Sequence, residues 1–218
     1  MNLAATPFTF IIIGITVLIH FRAKKDYSII EKLKFYPYRM KRNPGEFSRF
    51  LTNGFVHGSD NHLIINMFVL YMFGTYIEAR FGIFGELWGR LAYLLLYLAA
   101  IVAASIPSYF KHQNNPAYAA VGASGATSAL IIAFIIFNPW SWFLFPPLPA
   151  LIFGLGYIIY SFYASKNKND GIAHEAHLWG AIFGLGFTIG AIVLLRPDLL
   201  NSVIHNFLNW RTVLSGPF

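Results

Sequence analysis

Six apolar stretches separated by polar connections constrain this chain more than anything else in its 218 residues. They run from about Phe8 to Phe21, Asn61 to Ala79, Leu87 to Ile106, Ser124 to Phe137, Leu148 to Ala164 and Glu175 to Leu195. A helix needs about 20 mostly apolar residues to cross a bilayer core. In lipid the backbone must satisfy its own hydrogen bonds, which leaves helices and closed barrels as spanning structures. Hydrophobic residues make up 56% of the chain and charged residues 11%, and a soluble domain of this size cannot hide so much apolar surface. The expectation is an all-α integral membrane protein with six transmembrane helices in one domain covering residues 1–218. Met1–Thr6 carries no basic residue and no small-x-small cleavage site follows, so the first stretch reads as a helix rather than a signal peptide.

Zero cysteines exclude disulfides, thiolate nucleophiles and cysteine metal sites. The net charge of +7 is concentrated: nine of sixteen Lys and Arg lie between Arg22 and Arg49. Such a loop suits anionic lipid headgroups better than nucleic acid. Within it, Ser28–Phe35 mixes apolar and charged residues and suits the membrane interface. Lys166–Gly171 reads as a polar turn, and Phe207 and Trp210 as interface anchors of the tail from about 198 to 218.

Polar groups inside a membrane are costly and mark function by default. Three sets stand out. His62 and Asn66 are four apart and share a helical face. Ser124 lies between Gly122 and Gly125 at the start of the fourth stretch. His177 lies near the start of the sixth, with Gly180 and Gly184 at i+3 and i+7 on its face. Taken singly, each set also fits plain helix packing through small or hydrogen-bonding residues. Together they fall near the starts of the second, fourth and sixth helices, which all begin on one membrane face. The fourth helix is short: its 14 residues span about 20 Å at 1.5 Å each, against a core of about 30 Å. Ser124 is therefore expected below the surface, at the floor of a hydrated pit reached by the dipping segment Asn115–Val121.

These residues resemble the signature of the rhomboid intramembrane serine proteases. The matching pieces are His62-Leu-Ile-Ile-Asn66, Gly122-Ala-Ser-Gly125 and Ala176-His177-Leu-Trp-Gly180-Ala-Ile-Phe-Gly184, flanked by Phe55-Val-His57-Gly and Glu78-Ala-Arg80-Phe-Gly82. The resemblance covers about Arg49 to Leu195. It implies a six-helix fold with a membrane-embedded loop after helix one, and cleavage of peptide bonds in or near transmembrane segments of other proteins. It implies Ser124 and His177 as a catalytic pair, with His62, Asn66 and the Ser124 backbone as the oxyanion hole. It implies no cofactor and no metal. His57 and His174 are family-like positions read as structural or hydration-related; His20, His112 and His205 are background. Some members place an aromatic one turn after the nucleophile, stacked on the histidine, but that position here is Ser128.

The chemistry is coherent: a serine hydroxyl needs a base within hydrogen-bond reach, histidine serves near neutral pH, and the tetrahedral oxyanion needs donors in place. Glu175, two positions from His177, points elsewhere on the helix, so a dyad rather than a triad is expected. Two rival readings remain. A catalytically inactive relative that binds transmembrane clients would lack the serine or histidine. A small transporter would spread polar residues over several depths. The positive-inside rule puts the catalytic face, with twelve Lys and Arg against four, in the cytoplasm. The resemblance instead implies a bacterial inner membrane with the site opening to the extracytoplasmic side, and that is the expectation adopted. Nothing in the pattern specifies a substrate sequence or an oligomeric state.

Overall fold

The computed structural model describes residues 6–143, 146–167 and 173–210. Among these the chain is helical, with only two isolated antiparallel bridges. Helix α1 is Pro7–Lys25. Three short helices follow in the basic loop: α2 Ser28–Leu33, α3 Pro37–Arg42 and α4 Arg49–Thr52. The second apolar stretch is α5, Asp60–Val69, continued by α6, Thr75–Arg80, through one π turn at Leu70–Gly74. Then come α7 Glu86–His112, α8 Ser124–Phe137, α9 Ala150–Asn167, α10 His174–Leu195 and α11 Leu200–Leu208. Among the described residues, four helices are long and apolar enough to cross a membrane: Pro7–Lys25, Asp60–Phe84, Glu86–His112 and His174–Leu195. The third differs from expectation at its end, because α7 runs through Pro107 to His112. Proline removes one backbone donor, and packed transmembrane helices tolerate that loss where neighbours compensate. Part of the polar turn after Lys166, residues 168–172, lies outside the described residues.

Helix α8 is the centre of the bundle. It is apolar on all sides, as a helix without a solvent face must be. Every residue from Gly125 to Phe137 except Phe134 is buried. Its main neighbours are α10 and α7, and glycines set how near α10 comes. A Cβ added at Gly180 would sit 2.8 Å from Gly125 Cα, and one at Gly184 only 2.5 Å from Ala129 Cα. The contacts advance by four residues on both helices, so α8 and α10 run parallel with their N-termini together. On the other side Gly125 meets α7, where an added Cβ would lie 2.5 Å from Ala104 Cβ.

Glu78 ties α1 to this core. Its carboxylate accepts from the backbone N–H of Phe8 and Thr9, at 2.9 and 2.8 Å, and from Thr9 Oγ1 at 2.7 Å. It thus caps the N-terminus of α1, where free N–H groups and the helix dipole favour an anion.

The glycine contact makes a direct prediction. Gly184→Val should lower stability by about 3 kcal/mol, because the clash is with α8 backbone rather than a movable side chain. Gly186→Ala, with no heavy atom within 4 Å of the added Cβ, should be neutral or stabilising by about 0.5–1 kcal/mol. Equilibrium unfolding in mixed micelles compares the two; equal effects would mean α8 and α10 are not in backbone contact.

Candidate active site

The site is built on the first turn of α8 and on the irregular chain leading into it. Residues 113–123 lie against the basic loop, which satisfies part of their backbone. Phe35 and Ala120 exchange N–H···O bonds of 2.9 and 3.0 Å, and Gly122 N–H donates to Asn53 O at 2.9 Å. Tyr36 Oη donates to Pro116 O at 2.9 Å, and the His112 ring stacks on Tyr118 at 3.7 Å. Asn53 is itself fixed, its amide donating to Arg49 O and Phe50 O. Buried Arg49 reaches Glu31 O and Lys34 O, at 2.8 and 2.9 Å, and pairs with Glu46. The loop is thus a folded support for the lead-in strand, which explains how non-helical backbone can lie next to Ser124.

The last turn before Ser124 needs glycine. Gly122 has φ +121°, a region that side chains rarely adopt. An added Cβ there would also lie 2.5 Å from the ring carbon Cε1 of His62 and 2.8 Å from Nε2. His62 therefore packs its ring on the backbone two residues before Ser124. The next residue, Ala123, donates its N–H to His57 Nε2 at 3.3 Å, so His57 helps to hold the turn. Its ring meets His62 edge-on at 5.0 Å.

Asn66 is buried one turn below His62. Its amide donates to His62 O at 2.9 Å and its Oδ1 accepts from Thr127 Oγ1 at 3.2 Å. The second amide hydrogen remains for another acceptor. Thr127 Oγ1 is also 3.1 Å from Ser124 O. His62 and Asn66 thus both meet the start of α8, from α5.

Ser124 is the first residue of α8 and is half-buried. The glycine register sets the place of His177: Gly180 lies on Gly125, and a Cβ added at Gly125 would be 3.5 Å from Ala176 O. His177, also half-buried, follows Ala176 at the N-terminal end of α10. Ser124, His177, His62, Asn66, Gly122, Gly125 and Gly180 thereby lie in the first turns of α5, α8 and α10 or just before them, while Gly184 meets Ala129 further along the α8–α10 contact. Glu175 points to α7, where it accepts from Ser108 Oγ at 2.9 Å and pairs with Lys111 at 3.5 Å. Beside Ser124 is a small cavity of about 20 Å³, lined in part by Asn53, Ser105, Ser108 and Tyr118. That is room for a water molecule, with polar groups to hold it.

One neighbour escaped the sequence. Tyr157 of α9 stacks on His177, with ring centroids 6.2 Å apart and planes 19° apart. Its hydroxyl lies 2.6 Å from Ser128 Oγ. The available signal was helical spacing: Gly154, Tyr157, Ser161 and Ala164 share one face of α9, three of them small and buried. His174, buried, meets His177 edge-on at 5.8 Å.

The fold and the site define a polytopic helical membrane protein with a serine and a histidine at adjoining helix starts beneath a folded interfacial loop. The Rhomboid domain family model matches residues 44–195, and the chain belongs to the rhomboid family. It is 29% identical over 150 residues to RHOMBOID-like protein 12, mitochondrial, of Arabidopsis thaliana, covering 63% of this chain and 44% of that one. It is 34% identical over 154 residues to Rhomboid-like protein 11, chloroplastic, of the same plant, covering 63% and 50%. It is 29% identical over 187 residues to Presenilin-associated rhomboid-like protein A, mitochondrial, of Danio rerio, covering 80% and 47%. The chain spans about half the length of these relatives. Their names place them in organelles and lend no support to the bacterial inner membrane expected from the sequence.

The His57 contact has a pH signature. Burial, with the nearby His62 adding to it, lowers its pKa to about 3. An unfolded histidine titrates near 6.5. Above that value both states are neutral and His57 has no effect. Below it the unfolded chain takes up a proton that the native state refuses, so stability falls as pH drops toward about 3. Between pH 6.5 and 4.5 the loss should be about 2–3 kcal/mol. His57→Gln, which keeps an acceptor for Ala123, should show a shallower fall by that amount. Parallel pH curves for the two proteins would mean that this histidine is not buried neutral.

Proposed function

We propose that this protein is an intramembrane serine endopeptidase that cleaves transmembrane segments of other membrane proteins. The observation that carries the reading is the parallel glycine contact of α8 and α10, which brings the starts of the two helices bearing Ser124 and His177 side by side. In this reading His177 accepts the Ser124 hydroxyl proton as Oγ attacks the scissile carbonyl. The Ser124 N–H, at a helix N-terminus whose dipole favours negative charge, and the side chains of His62 and Asn66 donate to the resulting oxyanion. Collapse expels the amine, which takes the proton from His177 and leaves an ester on Ser124. A water molecule, deprotonated by His177, then attacks the ester, and the acid product leaves with the serine restored. A cavity with room for a water molecule adjoins Ser124, lined in part by Asn53, Ser105, Ser108 and Tyr118.

No metal or cofactor enters this chemistry. The catalytic face lies on the membrane side opposite the chain's N-terminus, since helices two, four and six begin there. Residues 1–218 act as one domain. The rival reading, an inactive client-binding relative, calls for loss of the serine or the histidine, and both are present.

Reconstitution with a model transmembrane substrate tests the proposal. Ser124→Ala and His177→Ala should each abolish cleavage without loss of fold, and Ser124 should be the residue labelled by a fluorophosphonate. Asn66→Ala should slow turnover by roughly 10²-fold, the scale of one oxyanion donor. Undiminished cleavage by the Ser124 or His177 variant would sink the reading.

A further inference from the structure

We propose that Tyr157 of α9 is a positioning residue for the dyad: one phenol holds the His177 imidazole and the nucleophile's helical turn in a common register. The inference rests on the protease reading above and adds a third helix to its machinery. Two contacts at opposite ends of the side chain carry it. The ring lies nearly parallel to that of His177, with centroids 6.2 Å and planes 19° apart, inside the range of offset aromatic pairs. The hydroxyl lies 2.6 Å from Ser128 Oγ, which itself donates to Ser124 O at 2.6 Å. A serine hydroxyl has one proton. Ser128 uses it on the Ser124 carbonyl, so Tyr157 donates to Ser128. The relay runs from the phenol of α9, through Ser128 of α8, to the peptide carbonyl of Ser124.

A general base acts only when its ring is held in one orientation. Glu175, two positions before His177, turns to Ser108 and Lys111 on α7. The His177 ring is walled by aromatics: Tyr157 across one face and His174 edge-on at 5.8 Å and 81°. His174 is in turn met edge-on by Tyr160, the next turn of α9, at 5.6 Å. A phenol whose far end is bonded to Ser128 cannot slide along the histidine, so the stack has a fixed register. Ser128 serves as the anchor for an aromatic supplied by another helix.

The test separates positioning from mere packing. In full-length protein, Tyr157→Leu should lower kcat by roughly 30- to 100-fold, the scale of a misplaced reacting group. KM should stay within about twofold, since the phenol binds no substrate. Fluorophosphonate labelling of Ser124, which needs the dyad but no peptide, should slow in parallel. Tyr157→Phe keeps the stack and loses the anchor, and should slow labelling by about three- to tenfold. The double variant Tyr157→Leu/Ser128→Tyr, which returns an aromatic from α8, should recover at least about tenfold of the loss. Wild-type kcat and labelling in Tyr157→Leu, with Ser124→Ala inactive, would overturn the positioning role and leave the dyad standing. If Tyr157→Leu does not fold, Tyr157→Phe decides, and an unchanged labelling rate overturns the proposal. Cleavage by Ser124→Ala would remove both readings together.

Discussion

The absence of side chains at two points where α10 meets α8 governs the rest of the structure. Gly180 and Gly184 let the two helices touch backbone to backbone, at Gly125 and Ala129. Dispersion and close packing must do most of the work of holding helices together in lipid, where neighbouring tails are as apolar as leucine. Small residues at the contact maximise it. The same contact fixes a register, and the register decides which residues share the N-terminal end. Any slip by one residue would turn His177 by about 100° around α10. Stability and site geometry are therefore one property here, since substituting the glycines disturbs both.

A second constraint comes from the shortness of α8. A helix of 14 residues leaves irregular chain at membrane depth, and such chain must find partners for every amide. The basic loop after α1 supplies several of them. Phe35, Asn53 and Tyr36 bond directly to the lead-in segment. Arg49 holds those partners in place through two carbonyls and Glu46. The loop that composition suggested as a neighbour of anionic lipid headgroups thus has an inward face with a structural task. Its cations divide accordingly: Arg49 is buried, while Arg22, Lys25 and Lys32 stay exposed. A count of charges cannot separate these two roles.

How much was legible in the sequence follows from this division. Motifs carried by helix starts were readable, because periodicity places residues on a face and punctuation places them at an end. His62 with Asn66, the Gly122–Gly125 turn and His177 with its glycines are of that kind. Contacts between segments distant in sequence were not readable. The Phe35–Ala120 bridge, the Ala123–His57 bond and the Tyr157–His177 stack each join elements whose approach depends on the whole bundle. The run of α7 past Pro107 belongs to the same group, since local rules end a helix there and packing carries it on. Ser128 is the instructive case. The resemblance marked it as a departure, and only the packing of α9 shows what occupies the space beside His177.

The handling of carboxylates links these points. An ionised carboxylate without partners is expensive in a membrane, and a buried ion pair recovers its desolvation cost only with full hydrogen bonding. Asp60 and Glu175 accordingly sit at helix ends with Lys24, His20, Lys111 and Ser108. Glu78 is the buried exception, and it is satisfied by three donors at the positive end of α1. Aromatic rings carry no such desolvation penalty. The His177 ring, set against the face of Tyr157 and the edge of His174, is therefore packed at low cost in a low-dielectric bundle, and the phenol hydroxyl is satisfied by Ser128, which also donates to the Ser124 carbonyl.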